Sequence, residues 1–304
     1  MKISRFGGLI AAASKKAALP MLKVGSITII KRIVISFQQA GIFPIVIITG
    51  ADEDEVKYQL SNYGVIFLSY EQTDQLEMLD CIKHGLRYLQ GKCDRIAFTP
   101  VNVPMFTPDT LIGLKNTNGA IVIPSFHGKG GHPVILSEEI IPDILNYNGS
   151  DGLRGAIRLL KEDTLWLPVE DTGILTSVRN VEQLQEQLGE HNNAIVHPML
   201  HMSIERETAF FNARLKLLLY LISDMHNVRK ACNAMSLSYG KAWDMLNRLE
   251  TELGYSVVLR RQGGNTLLTK EGYEFLFTYQ QFEEEVFHFT QTRFHDLFLS
   301  SDLL

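Results

Sequence analysis

The chain has 304 residues, 45% hydrophobic and 21% charged, with a net charge of -5 and a pI near 6.0. At ~100–200 residues per domain this length calls for about two domains, and the acidic balance excludes a protein that coats nucleic acid along its whole surface. No apolar run reaches the ~18 residues of a membrane span, while Cys81, Cys93 and Cys232 lack metal-ligand spacing and suggest reduced thiols in a cytoplasmic protein.

Residues 6–13, 44–49, 65–68, 95–99 and 120–124 are short apolar runs bounded by polar or turn residues, and they read as buried strands. Between them lie helical patterns. Residues 28–40 carry Ile29, Ile33, Phe37 and Ala40 at helical spacing and end at Gly41, a suitable C-cap. Residues 52–62 form a second amphipathic segment, and 76–89 a third with Met78, Ile82, Leu86 and Leu89 facing inward. The alternation predicts parallel βαβ units with right-handed crossovers, hence a three-layer, doubly wound, Rossmann-like α/β domain over residues 1–190.

Asn102, in Thr99-Pro100-Val101-Asn102-Val103-Pro104, falls just past the carboxyl end of a strand, where open α/β sheets bind ligands. A phosphate-binding loop belongs between the first strand and first helix, because N–H groups at a helix start cradle anions. Ala12, Ala13, Ser14, Lys15, Lys16 and Lys23 are its candidates, with two solvated lysines as the alternative for Lys15 and Lys16. In Gly130-Gly131-His132-Pro133, Gly131 and His132 are further ligand candidates, a structural turn histidine being the alternative.

Together with residues 149–155 and 173–182, these stretches resemble the MobA-like nucleotidyltransferases, which attach a nucleotide to molybdopterin. The resemblance implies a nucleotidyltransferase fold, CTP or GTP as nucleotide, and Mg²⁺ held by the aspartate of a Val-Asp-x-Pro loop. Here that position is Asn102. The family loop Ala-Ala-Gly-x-Ser-x-Arg-Met-Gly is shortened by about three residues, with Ala13 in place of its glycine and Leu19 in place of a following lysine. Where the family carries Gly-x-Leu-x-Asp-x-Asp, this chain has Gly173-Ile174-Leu175-Thr176-Ser177-Val178-Arg179. Asn102, Ser177 and Arg179 thus leave no carboxylate for a hard cation. We expect no catalytic residue, metal or cofactor, and a retained pocket for a nucleotide, molybdopterin or molybdate effector. The alternative is a working transferase using CTP or GTP with Mg²⁺ held by acids elsewhere.

The composition turns polar at 188–193, which suggests a linker over 191–201 and a second domain over 202–304. Residues 210–225, 228–235 and a third segment ending at Leu253 read as helices, followed by two strands around Gly263-Gly264-Asn265. Three helices and a β-hairpin predict a winged helix-turn-helix. Between residues 212 and 270, nine Lys and Arg stand against four acids, a net of +5 inside a chain of net -5. Ser238-Tyr239-Gly240-Lys241-Ala242-Trp243, with Arg260-Arg261, resembles the DNA-binding domain of ModE-type molybdate-responsive regulators. Ser238, Tyr239, Lys241, Arg248, Arg260 and Arg261 are the expected contacts to double-stranded DNA, with Ala242 and Trp243 in the core. A long amphipathic helix over 273–298 carries Phe275, Phe282, Val286, Phe289 and Phe294, an expected homodimer contact, with packing on the wing as the alternative. The expectation is a cytoplasmic, dimeric transcription regulator linked to molybdenum cofactor metabolism, which does not act on membranes.

Overall fold

The apolar runs become strands because each is buried on both faces, the mark of a sheet covered by helices on either side. The computed structural model describes residues 5–13, 19–70, 78–160, 164–178, 181–261 and 265–300, without the side chains of 181–183. The chain divides into two units, Met1–Val196 and His197–Leu304.

The first unit opens with β1 (Phe6–Ala11), the short hairpin β2 (Lys23–Val24) and β3 (Ile27–Thr28), α1 (Ile29–Gln39), β4 (Ile45–Thr49), α2 (Glu53–Leu60), β5 (Ile66–Ser69) and α3 (Met78–Leu89). It continues with β6 (Arg95–Pro100), α4 (Pro108–Asn116), β7 (Ile121–Phe126), β8 (Lys129–Gly130), β9 (Val134–Ser137), α5 (Ile141–Asn146), α6 (Gly152–Leu159), β10 (Thr164–Pro168), α7 (Val181–Glu186) and α8 (Leu188–Ala194). The main sheet runs β10-β7-β9-β6-β1-β4-β5, with β8 beside β7.

Alternation along β1 decides the layers. Leu9 and Ile10 are fully buried, yet they face opposite ways. A Cβ on Gly8 would lie 2.6 Å from Phe37 of α1, whereas one on Gly7 would lie 2.6 Å from Cys93 Sγ, near Leu89 of α3. Gly85 lets α3 come down on Leu9, since a Cβ there would be 2.2 Å away. Helices α1, α2 and α4 pack together as one layer, and α3, α5 and α6 as the other. Each fully buried aliphatic side chain in these layers contributes about 1.5–3 kcal/mol.

Two expectations are corrected. The sheet is mixed, not uniformly parallel: β9 runs antiparallel to both β6 and β7. The chain leaves β7 and returns within a few residues through β8, too short a path for a helical crossover, so the returning strand must reverse direction. The polar run 188–193 is not an open linker but α8, which packs on α1. Arg32, 1% exposed on α1, needs acceptors that an apolar layer lacks, and α8 supplies one. Arg32 Nη1 donates to Asn192 Oδ1 at 2.9 Å and lies 3.1 Å from His191 Nδ1, while Arg32 Nε donates to the Val24 carbonyl at 3.0 Å.

The second unit comprises the hairpin β11 (Ser203–Glu205) and β12 (Ala209–Asn212), α9 (Ala213–Met225), α10 (Val228–Ala234), α11 (Tyr239–Leu253), the ribbon β13 (Val258–Arg260) and β14 (Thr266–Leu268), and α12 (Lys270–Phe294) with a π-helical end, His295–Leu299. Asn212 starts α9 by accepting from the Arg214 and Leu215 amides, so residues 210–212 are strand where the sequence suggested helix. Asn227, Ser238 and Thr269 cap the next three helices in the same way. Gly254, at φ 76, ends α11 in the left-handed conformation. Leu218, Ala231, Leu246 and Leu249 are fully buried in the core of this unit. Phe211 meets Phe275 and Tyr279 edge-on and so anchors the first half of α12. Beyond Tyr279 no residue of α12 is buried. Among the described residues, no helix is long and apolar enough to cross a membrane.

Candidate functional site

The carboxyl ends of β1 and β6 lie side by side at the point where the chain changes direction across the sheet, the position at which open α/β sheets form a crevice. Ala12 and Ala13 follow β1 and are both buried. The Ala12 amide donates to Ile48 O at 3.0 Å, and the Ala13 amide bonds Cys81 of α3. These amides are therefore committed to the protein. Burial pushes the Cys81 thiol up to about 12, which keeps it protonated. Ser14, Lys15 and Lys16 lie outside the described residues, and Lys23 is exposed on the β2–β3 hairpin.

Asn102 follows β6 and is held by one segment, residues 176–178. Its carbonyl accepts from the Val178 amide at 2.9 Å, and its Nδ2 donates to Ser177 Oγ at 3.4 Å. Ile174, just before it, holds the Gly130–Pro133 turn. The His132 amide donates to Ile174 O at 3.0 Å, and a Cβ on Gly131 would meet that oxygen at 2.4 Å. Structure thus joins Asn102, Ser177, Gly131 and His132 around residues 174–178. Arg179 lies outside the described residues.

The His132 ring sits edge-on to Phe98, with centroids 5.8 Å apart. Its Nδ1 is closed off from solvent and has no partner among the described residues. Burial pushes its pKa down to about 4 against a bond with the Phe98 backbone, so the ring is neutral at pH 7.

Three positioning residues went unread in the sequence. Asp171 Oδ2 accepts from the Thr107 amide at 2.8 Å and Thr110 Oγ1 at 2.7 Å, and its Oδ1 accepts from the Gly173 amide at 2.8 Å. It ties the Asn102 loop to the 172–175 turn, and its carboxylate is saturated. His191, buried on α8, lies 3.2 Å from Phe106 O and 3.1 Å from Arg32, whose pKa desolvation lowers. The Asp171-Thr172-Gly173 turn was the available signal for the first; nothing local marked the other two.

An amide and a hydroxyl are neutral donors, and hard divalent cations take carboxylates. The Asn102–Ser177 pair therefore does not fit the magnesium that the family places there. Among the described residues, no three His, Cys, Asp or Glu side chains converge on a metal-sized site.

In the second unit, Ser238 caps α11 by accepting from the Lys241 amide at 3.4 Å. Tyr239 and Lys241 are exposed, as are Arg260 and Arg261 on the ribbon, where the Arg261 amide donates to Asn265 O at 2.8 Å. Arg248 turns elsewhere, onto Thr208 of the β11–β12 hairpin. Ala242 is core, as expected, but Trp243 is only half-buried. Each residue turns the helix by about 100°, so Trp243 lies on the flank of the stripe of Ala242, Leu246 and Leu249, with Arg260 over its ring.

Residues 4–165 match the MobA-like NTP transferase domain. The chain shares its fold with a nucleotidyl transferase from Methanothermobacter thermautotroptrophicus (16% identity, TM-score 0.52, 62% of this chain and 98% of that one). It is similar in fold to Rv0371c of Mycobacterium tuberculosis, solved with manganese (16% identity, TM-score 0.50, 60% and 99%). A third neighbour is the 4-diphosphocytidyl-2C-methyl-D-erythritol synthase of Anaerococcus prevotii (14% identity, TM-score 0.50, 61% and 96%). No curated protein matches the chain. At these identities the neighbours establish the mixed α/β, Rossmann-like nucleotidyltransferase fold of the first unit and nothing about chemistry. With more than half of its residues matched, the chain belongs to the MobA-like NTP transferase domain family.

Proposed function

We propose that the chain is a DNA-binding transcription regulator whose MobA-like domain binds an effector without transferring nucleotides. The observation that carries this reading is the Asn102–Ser177 pair, two neutral side chains hydrogen-bonded to each other where nucleotidyl transfer needs anionic metal ligands. The effector proposed, from the family resemblance, is a nucleotide, molybdopterin or molybdate; the Gly131–His132 turn beside the pair is itself packed against Ile174. A regulator of molybdenum cofactor metabolism is the role that fits both halves.

The second unit supports the DNA-binding half. Its helices α9 to α11 and the β13–β14 ribbon have the order of a winged helix, with residues 202–304 as the domain. Its cations are divided by use. Arg206, Lys216, Lys270 and Arg293 are spent on Glu252, Glu283, Glu274 and Asp296. Arg229, Lys230, Lys241, Arg260 and Arg261 make no ion pair among the described residues. The exposed half of α12, with Phe282 and Phe289 at 54% and 66% exposure, supports a homodimer.

The test measures two things on the full chain. Duplex DNA should bind with an affinity that falls steeply with salt, and incubation with CTP or GTP, molybdopterin and Mg²⁺ should release no pyrophosphate above background. Multiple turnovers would overturn the effector reading in favour of a working transferase; salt-independent or absent DNA binding would overturn the regulator.

A further inference from the structure

Four side chains in the second unit form a continuous ladder. The Arg229 guanidinium carbon stands 5.3 Å from the centroid of the Tyr239 ring. Tyr239 meets Trp243 edge-on at 6.1 Å, and the Arg260 guanidinium stacks on Trp243 at 3.9 Å. Arg260 Nη2 also donates to Asn247 Oδ1 at 3.4 Å. Tyr239, Trp243 and Asn247 are spaced by four along α11 and share one side of it. Gly240, next to them, leaves open space, since a Cβ there would meet nothing within 4 Å.

Three features exclude a plain packing role. Both arginines and Tyr239 are exposed, so the ladder is not a core cluster. Neither arginine is paired with an acid among the described residues. The arginines also come from different elements, α10 and β13, and they converge on a helix between them. A guanidinium stacked by its face keeps its in-plane N–H donors free, the geometry that grips a phosphate with two hydrogen bonds. Free arginines of this length lose rotamer freedom on binding; those already laid on a ring lose less.

Resting on the DNA-binding reading above, we propose that Tyr239 and Trp243 are positioning residues that hold Arg229 and Arg260 as a two-ended clamp on the phosphate backbone of duplex DNA. Trp243 is thus part of the interface machinery without itself reading a base. The rings are less suited to stacking unpaired bases, because each already has an arginine on it.

The full-length protein is titrated with a fluorescent 30-base-pair duplex, and with the matching single strand, over a range of salt. The natural protein should prefer the duplex. Arg229→Ala and Arg260→Ala should each lower the salt slope by about one. Trp243→Ala should lower it by the same amount although Arg260 is still present, and Trp243→Phe should restore it. Trp243→Ala combined with Arg260→Ala should bind like either alone, the non-additivity expected of residues acting as one unit. Thermal melts of each variant identify loss of folding, and Arg260→Gln reports on the clamp if Trp243→Ala does not fold. A Trp243→Ala or Arg260→Gln protein that is folded yet keeps the natural slope overturns the clamp while leaving DNA binding intact. Tighter binding to the single strand, with base stacking on the rings, overturns it as well. A natural protein that binds neither strand form removes the regulator reading itself.

Discussion

Asn102 Nδ2 stands 3.4 Å from Ser177 Oγ, and under the proposed function these are two of the three positions at which the family's aspartates are replaced, so that the pair is a cation site without its charge. Restoring the charge tests that statement. Asn102→Asp with Ser177→Asp should bind Mn²⁺ at least ~10-fold more tightly than the natural protein by calorimetry, because two facing carboxylates make a hard-cation site. Turnover should stay absent, since the shortened loop after β1 still lacks the residues that orient a triphosphate. Unchanged Mn²⁺ affinity would show that the two side chains do not share a site. Gly131 is a second single-residue dependence. Gly131→Ala would place a methyl 2.4 Å from Ile174 O, which cannot move without releasing the His132 amide. The expected cost is about 1–3 kcal/mol in urea unfolding of the first unit; an unperturbed midpoint would mean that the turn gives way freely.

At the scale of elements, α8 and α12 illustrate opposite uses of a polar sequence. Helix α8 is short and hydrophilic, yet it is held because Arg32 needs it. Arg32→Met removes the guanidinium and leaves Asn192 Oδ1 and the Val24 carbonyl without their donor. Asn192 is exposed and its Oδ1 can turn to water, whereas the buried Val24 carbonyl is stranded at about 1–3 kcal/mol, so the first unit should lose about 1–3 kcal/mol, and amides of α8 should exchange faster with solvent. Unaltered exchange there would show that α8 is held by apolar contacts alone. Helix α12 is anchored at Phe275 and Tyr279 and then continues past its own core. If that second half pairs with another copy, Phe282→Glu with Phe289→Glu should convert dimer to monomer in sedimentation while leaving the melting of the second unit in place. Monomers in the natural protein would end the pairing idea.

For the whole molecule, pH should act chiefly on the first unit. His132 and His191 are held down to about 4 by burial, whereas in the unfolded chain each titrates near ~6.5. The native form stays neutral while the unfolded form takes up protons, so this stability is present above about pH 6.5 and is lost as pH falls toward 4. The loss approaches about 1.4 kcal/mol per pH unit for each histidine inside that window. Urea midpoints compared at pH 7 and pH 5 should show it, and His191→Gln should remove roughly half of the slope. A pH-independent midpoint would mean that both rings accept a proton in the native state.

Much of this was legible in one dimension, for identifiable reasons. Strands β1, β4, β5, β6 and β7 were visible because a doubly covered sheet demands unbroken apolar runs, and α1 and α3 because one face of each must be apolar. The departures at Asn102 and Ser177 were also visible, since a missing carboxylate is a property of composition at a position. What needed the tertiary structure was everything set by partners distant in sequence. The antiparallel β9 follows from a connection too short to cross over. The burial of His191 follows from an arginine more than a hundred residues earlier, and the saturation of Asp171 from Thr107 and Thr110 at the start of α4. Trp243 is the clearest case: its apolar neighbours along the chain place an indole in the core, but the helix turns it toward Arg260, because exposure is decided by which elements pack on a helix face and not by the composition around a residue.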